Sequence, residues 1–392
     1  MTTIQEVLTR QVAQVLPLKE GLEALMKKRK VRVYIGIDPT GGRLHLGHTI
    51  GLRKLQQFAD LGHEAILVVG TGTVLAGDPS QREHARPSIT MKEIEENMKT
   101  WKKQASKIID FSKVKMRYNG DWLLKLTLKD ILGIASHVSA SQLFQRDMFQ
   151  RRLAKGDTVW THELLYPLLQ GYDSVALDTD VEIGGTDQVF NMLMGRELQQ
   201  KMKGREKFVL TIPMIVGLDG KQMSKTSGNT VNIEDPPEDM YGKIMSLRDE
   251  LMISYFDLCT DVPMDEVKKL EQDLASQKIS PRDLKMRLAR EIVSKYHSEK
   301  KAQEAEQEFQ HVFQRKELPT DIVEVSLGAK ELSLVDALVE ANLASSKGEA
   351  RRVIEQGGVK VAGIVEKDPN SRVSAGKGIV LQVGKRNFVK LN

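Results

Sequence analysis

Residues Gly36–Ile50, reading GIDPTGGRLHLGHTI, decide the fold of this chain. An alternating apolar segment, Val31-Arg32-Val33-Tyr34-Ile35, comes just before them, and its period of two predicts a β-strand. Beyond the Pro39-Thr40-Gly41-Gly42 turn, apolar residues recur at helical spacing from Leu44 to Phe58. The order is strand, tight loop, helix. It sets His45 and His48 on one face of the first helical turn. Gly47 lies between them, where the missing side chain lets a flat ring or a phosphate approach the backbone. The pattern predicts a nucleotide site.

Outward from this stretch, Glu64-Ala-Ile-Leu-Val-Val-Gly70 reads as a second strand, closing a right-handed βαβ unit that seeds a doubly wound parallel sheet. Residues 1–30 read as one amphipathic helix with a basic end, Lys27 to Lys30. Residues 90–160 read as a mainly helical insertion separating the two halves of the nucleotide fold. Its apolar residues, among them Leu123, Leu124, Ile131, Leu132, Leu143 and Phe144, either meet a second copy of the chain or pack onto their own domain. The sheet is predicted to resume with strands Ser174–Asp178 and Val181–Ile183, a helix from Asp187 and the strand Phe208–Ile212. Residues 235–316 read as a helical domain, and Thr320–Lys330 as a linker. Residues 332–392 form a separate unit, with helices Leu334–Ala344 and Lys347–Gln356 before strands Val359–Val361, Gly378–Val383 and Phe388–Val389. The fold class is therefore α/β: a Rossmann-like doubly wound parallel sheet with a helical insertion, then a helical domain and a small α+β domain. The expected boundaries are 1–232, 233–320 and 332–392.

At 392 residues the chain has room for these parts. A single cysteine, Cys259, excludes an intramolecular disulfide framework and any multi-cysteine metal site, and fits a reducing compartment. No apolar run approaches a membrane span, and MTTIQEVLTRQV lacks the pattern of a signal peptide, so a cytoplasmic protein is expected. The formal net charge is +5, and Leu332–Asn392 holds ten Lys/Arg against six Asp/Glu, so the excess gathers at the C-terminus. A basic terminal module points to a polyanion partner, the alternative being a solvated surface with none.

The second landmark is Gln222-Met223-Ser224-Lys225-Thr226, in a Gly-flanked loop after a strand. A lysine and hydroxyls on such a loop can close over a triphosphate and neutralise developing charge. Gly70-Thr71-Gly72 lacks the third glycine of a dinucleotide fingerprint, and Asp60 and His63 are read as incidental.

Together the motifs resemble a known family. His45-Leu46-Gly47-His48 resembles the HIGH motif of class I aminoacyl-tRNA synthetases, and Gln222–Thr226 their KMSKS loop. Tyr34 before Asp38-Pro39-Thr40, then Gly77-Asp78-Pro79-Ser80, then Tyr166, Gln170 and Asp173 at helical spacing, and finally Gly184-Gly185-Thr186-Asp187-Gln188 narrow the resemblance to the tyrosyl-tRNA synthetases. Residues 332–392 are similar to the S4 RNA-binding module that ends bacterial members. One departure is Gln222, where the family has the first motif lysine. Either Lys221 reaches the same phosphates, or Lys225 carries that charge alone.

The resemblance implies tyrosine activation by ATP, transfer to tRNA(Tyr), and a homodimer joined through the helical insertion. It assigns Thr40, His45, Gly47, His48, Met223, Ser224, Lys225 and Thr226 to ATP and the reacting phosphates. Mg²⁺ would be carried on those phosphates, with no resident metal. Tyr34 and Asp173 would bind the phenol as donor and acceptor. Asp38, Asp78, Tyr166, Gln170 and Gln188 would hold the rest of the amino acid. Lys347, Arg351, Arg352, Lys385 and Arg386 would grip RNA phosphates. Two rivals share the fold: a tryptophanyl relative, disfavoured because an indole offers one donor and no acceptor, and an RNA-binding protein with catalysis lost, disfavoured by the presence of His45, His48 and Lys225.

Overall fold

The computed structural model describes residues 2–80, 89–221, 223, 228–314, 322–328, 331–374, 378–384 and 387–391. It divides into two compact units, residues 1–235 with 247–288, and residues 236–246 with 289–392. Among the described residues, no helix is long and apolar enough to cross a membrane.

The first unit is built on a sheet. Its strands among the described residues are β1 (Gln14–Leu16), β2 (Arg32–Ile37), β3 (Glu64–Val69), β4 (Val114–Tyr118), β5 (Val181–Gly185) and β6 (Phe208–Ile212). Their spatial order is β1-β6-β5-β2-β3-β4, parallel throughout except for β1 against β6. The chain runs outward from β2 through β3 and β4, then returns to the other side of β2 for β5 and β6. That reversal opens a crevice beyond the carboxyl ends of β2 and β5. In β3 the run Ile66-Leu67-Val68-Val69 is buried without alternation, as a strand covered on both faces requires.

The helix Leu46–Asp60 follows β2, with His45 as its N-cap. Leu46, Ile50, Leu55 and Phe58 are buried, each at no more than 1% exposure. Removing such a side chain from water contributes roughly 1.5–3 kcal/mol, and Leu55→Ala would cost about 2–5 kcal/mol. Across the sheet's other half, helix Thr161–Leu177 packs on helix Val189–Lys203. Their close approach requires glycine, since a Cβ on Gly195 would stand 3.3 Å from the Gly171 backbone and 2.6 Å from Lys207 Nζ.

Four sequence expectations change. Residues 1–30 are not one helix but helix Ile4–Val7, strand β1 and helix Lys19–Lys28. Gln11 takes a left-handed backbone (φ 58), and Pro17 has no N–H for a helical bond, so the edge of β6 captures the segment between them. The region 90–160 is not purely an insertion, because Val114–Tyr118 is edge strand β4. Its exposed Lys115, Arg117 and Tyr118 suit a half-solvated edge and hide its strand character. Ser174–Leu177 ends the helix Thr161–Leu177 and is not a strand. It prolongs the face that carries Tyr166, Gln170 and Asp173 until Asp178 turns left-handed (φ 53). Within the expected linker, Val323–Val325 forms a strand parallel to Asn387–Leu391.

In the second unit, helix Pro237–Met245 packs on helix Glu299–Gln314, with the Tyr241 and Phe309 rings 5.5 Å apart. Helices Leu334–Glu340 and Lys347–Glu355 cover C-terminal strands Val359–Val361, Ile379–Val383 and Asn387–Leu391. Leu334, Leu338, Ile354, Val359, Leu381 and Leu391 form their shared core. Arg351 and Arg352 are exposed on the second of these helices. Lys347 is exposed too, but its Nζ meets Asp336 Oδ1 at 2.7 Å.

Candidate active site

The carboxyl ends of β2 and β5 open into a cavity of about 330 Å³. Asp38, Thr40, His45, Gly47, His48, Asp78, Tyr166, Gln170, Asp173, Gln188 and Met223 line it. Tyr34 lies outside that lining. Its side chain is fully buried with Ile66 and Val68, and its hydroxyl shares a 2.8 Å hydrogen bond with Ser174 Oγ. Gln222, Ser224, Lys225, Thr226, Lys385 and Arg386 lie outside the described residues.

One wall is the helix Thr161–Leu177. Spacings of four and three residues bring Tyr166, Gln170 and Asp173 onto one face. Tyr166 donates its hydroxyl to Asp38 Oδ2 at 2.9 Å, and Thr73 donates to Asp38 Oδ1 at 2.7 Å. Asp173 accepts Asn119 Nδ2 at 3.0 Å and Trp122 Nε1 at 2.8 Å. Gln188 donates to Asp78 Oδ2 at 3.0 Å, and its carbonyl accepts Asn191 Nδ2 at 3.0 Å. Asp78 Oδ1 also accepts the Ser80 amide at 2.9 Å. Hydrogen bonds between protein groups thus fix this wall.

Burial dominates its electrostatics. It pushes the Asp173 carboxyl up to about 8, against the pull of the Asn119 and Trp122 hydrogen bonds and with added repulsion from Glu182 and Asp38. The Tyr166 phenol is pushed up by burial and by the Asp38 charge. The Asp187 carboxyl is raised by burial as well. Such shifts in a cleft mark a functional site.

The opposite wall is the start of helix Leu46–Asp60. His45 Nδ1 accepts the Gly47 amide at 3.2 Å, and His48 Nδ1 accepts the His45 amide at 3.2 Å. A neutral imidazole that accepts at one nitrogen carries its proton on the other, so both rings present Nε2–H as a donor. The rings sit 3.9 Å apart, and the His45 ring takes space that a side chain at position 47 would fill, since a Cβ on Gly47 would stand 3.1 Å from it. A helix N-terminus favours an anion. The segment following the second motif joins this wall: Leu46 donates its amide to Val231 O at 3.0 Å, and Ile233 to Leu44 O at 2.9 Å. The first motif is therefore tied through the backbone to residues 231–233.

Sequence reading missed Thr73, Asn119, Trp122, Ser174, Glu182, Asn191 and Lys207. Asn119 and Trp122 follow directly on β4, so recognising that strand would have exposed them. Glu182 on a central buried strand was the other available signal, since a carboxylate there needs a partner.

A family model described as tRNA synthetases class I (W and Y) matches residues 26–314, and one described as S4 domain matches residues 333–379. A tyrosine–tRNA ligase of Thermotoga maritima is 44% identical over 390 residues, 99% of this chain and 96% of that protein. One from Moorella thermoacetica is 44% identical over 392 residues, 98% of this chain and 95% of that protein. Among solved structures, the C-terminally truncated mitochondrial tyrosyl-tRNA synthetase of Aspergillus nidulans is similar with a TM-score of 0.67 at 21% identity, covering 80% of this chain and 95% of that one. The Archaeoglobus fulgidus tyrosyl-tRNA synthetase complexed with L-tyrosine gives 0.63 at 22% identity, covering 77% and 98%. At such identities the solved structures speak for the fold alone.

Proposed function

The chain belongs to the tyrosine–tRNA ligase family, and from that premise we propose that it activates L-tyrosine with ATP and transfers the tyrosyl group to the 3′ end of tRNA(Tyr). One observation carries this reading: Tyr166, Gln170 and Asp173 face, across a single cavity, a helix start whose two histidines present donors.

The tyrosine carboxylate attacks the α-phosphorus of ATP, a new C–O–P linkage forms, and pyrophosphate leaves. No protein nucleophile is required, so the chain contributes positioning and charge stabilisation. His45 and His48 donate from Nε2 to the phosphoryl oxygens, and Thr40 adds a hydroxyl. Lys225 and Thr226 hold the leaving pyrophosphate, and Met223 and Ser224 contact the ATP. Mg²⁺ carried on the ATP phosphates would supply positive charge there. Asp78, Tyr166 and Gln170 hold the ammonium, and Gln188 the carboxylate. Asp38 fixes Tyr166. Asp173 accepts a hydrogen bond from the phenol hydroxyl, which phenylalanine has no group to donate; discrimination of tyrosine from phenylalanine by such enzymes is an established example of this effect. Tyr34, whose hydroxyl shares a hydrogen bond with Ser174 Oγ, can accept there and still donate to the phenol oxygen.

Residues 1–232 carry this chemistry, 233–320 contribute a helical tRNA-binding part, and 332–392 grip RNA phosphates with Lys347, Arg351, Arg352, Lys385 and Arg386. The protein works in the cytoplasm as a homodimer. Leu124, Leu128 and Leu132, exposed by 58%, 72% and 61%, are the apolar surface that a second copy covers. Leu132→Asp should halve the mass seen by sedimentation equilibrium, and an unchanged mass would refute that interface. The main test is ATP–pyrophosphate exchange with each amino acid in turn. Tyrosine alone should support it, and exchange driven by tryptophan would overturn the reading.

A further inference from the structure

Behind the cavity lies a charged pair that the chemistry above does not use. Lys207, just before β6, and Glu182 on β5 are 0% and 1% exposed. The Lys207 ammonium donates to Glu182 Oε2, and to Ser174 Oγ at 2.7 Å. Room is kept for it, since a Cβ on Gly195 would stand 2.6 Å from Nζ and 2.7 Å from Ser174 Oγ. Taking two ions out of water costs several kcal/mol each, and a well-packed apolar pair is often as stable. Stability alone is therefore a weak reason for this pair.

The other carboxylate oxygen supplies a better one. Glu182 lines the cavity, and its Oε1 accepts Gln170 Nε2 at 3.0 Å. A carboxylate can only accept, so the Gln170 amide must turn its NH₂ toward Glu182. Its carbonyl then points the other way, where it accepts Asn191 Nδ2 at 3.0 Å and keeps a second lone pair. An amide turned over would present NH₂ to a substrate ammonium, donor against donor.

We propose that Glu182, paired with Lys207, is a positioning residue that locks the Gln170 amide with its carbonyl oxygen toward the ammonium of the amino acid substrate. This rests on the tyrosine-activating reading above. The charge matters because a neutral amide at position 182 could face Gln170 with either end. Lys207 matters because it compensates the buried carboxylate without competing for Oε1.

The test is Glu182→Gln in the full-length protein, read by ATP–pyrophosphate exchange. KM for tyrosine should rise about tenfold, the order of one hydrogen bond to a charged group, with kcat moved far less. The control ligand is 3-(4-hydroxyphenyl)propanoate, which keeps the phenol and carboxylate but has no amine. Its inhibition constant should stay within about twofold of wild type, since roughly 0.4 kcal/mol or less is at stake without the amine. Equal weakening of tyrosine and this inhibitor would show a merely structural role, and an unchanged KM for tyrosine would also overturn the proposal. Glu182→Gln combined with Lys207→Met removes both charges at similar volume and guards against misfolding of the single variant. A folded double variant with wild-type KM for tyrosine would likewise overturn it. Wild-type protein that exchanges no tyrosine would instead defeat the functional reading itself.

Discussion

The two walls of the cavity are built on different principles. On the helix Thr161–Leu177 side, each polar group meets another protein group: Tyr166 on Asp38, Asp173 on Asn119 and Trp122, Gln170 on Glu182 and Asn191. On the helix Leu46–Asp60 side, backbone amides engage the Nδ1 atoms of His45 and His48, which makes Nε2–H the donor edge. In the proposed reading, the first wall is a fixed template for a small molecule with a phenol and an ammonium. In the same reading, the second is an electrostatic surface whose value is realised when charge develops on phosphorus. The difference teaches that recognition and rate enhancement can be separated by mutation.

The largest expected effect is on the second wall. His48→Ala should slow adenylate formation by about a hundredfold, as removal of one preorganised donor does, with little change in tyrosine affinity. Stopped-flow activation at the wild-type rate would break the comparison. On the first wall, Asp173→Ala should lower kcat/KM for tyrosine at least tenfold, about 1.4 kcal/mol. It also leaves a buried Asn119 N–H unmatched, at about 1–3 kcal/mol of stability, and takes the acceptor from the half-buried Trp122 N–H. A variant with unchanged kcat/KM would remove Asp173 from the pocket floor. Away from both walls, Arg351→Glu with Arg352→Glu should raise KM for tRNA several-fold. Its salt dependence should flatten too, the slope falling by about one for each phosphate that is no longer neutralised. If tyrosine-dependent exchange fell as much as charging, the C-terminal helix would have to act on the walls themselves.

The last effect is a slope in pH. The Asp173 carboxyl goes from about 3.8 when unfolded to about 8 in the folded chain, so the folded state holds the extra proton. Its contribution is complete below the unfolded value, declines as pH rises, and is gone above about 8. Wild-type stability measured against Asp173→Asn by urea unfolding should therefore fall between pH 5 and pH 8. A difference that grew with pH would mean that Asp173 is ionised in the fold and that its two donors outweigh burial.

Much of the second wall was legible in the sequence because it is local. The strand, the turn, His45, Gly47 and His48 lie within one short stretch, where backbone periodicity decides both element and face. The helical spacing of Tyr166, Gln170 and Asp173 was legible for the same reason, yet the adjoining Ser174–Leu177 misled, since a short apolar run fits a strand as readily as a helix end. What Asp173 touches was not legible. Asn119 and Trp122 reach it only because β4 pairs with β3, and the charged residues of β4 hide that pairing.

By itself, the sequence determined the βαβ seed, the histidine pair at a helix start, the phenol, amide and carboxylate on one helical face, and the basic C-terminal module. Each is a matter of residue type at short spacing, which covalent geometry and period settle without the rest of the chain. Only the tertiary structure decided that Tyr34 turns to Ser174, that Nε2–H is the donor edge of both histidines, and that Lys207 and Glu182 stand behind Gln170. Those are contacts between strands and helices remote in sequence. They exist because burial leaves each polar group only the partners that packing brings within about 3 Å.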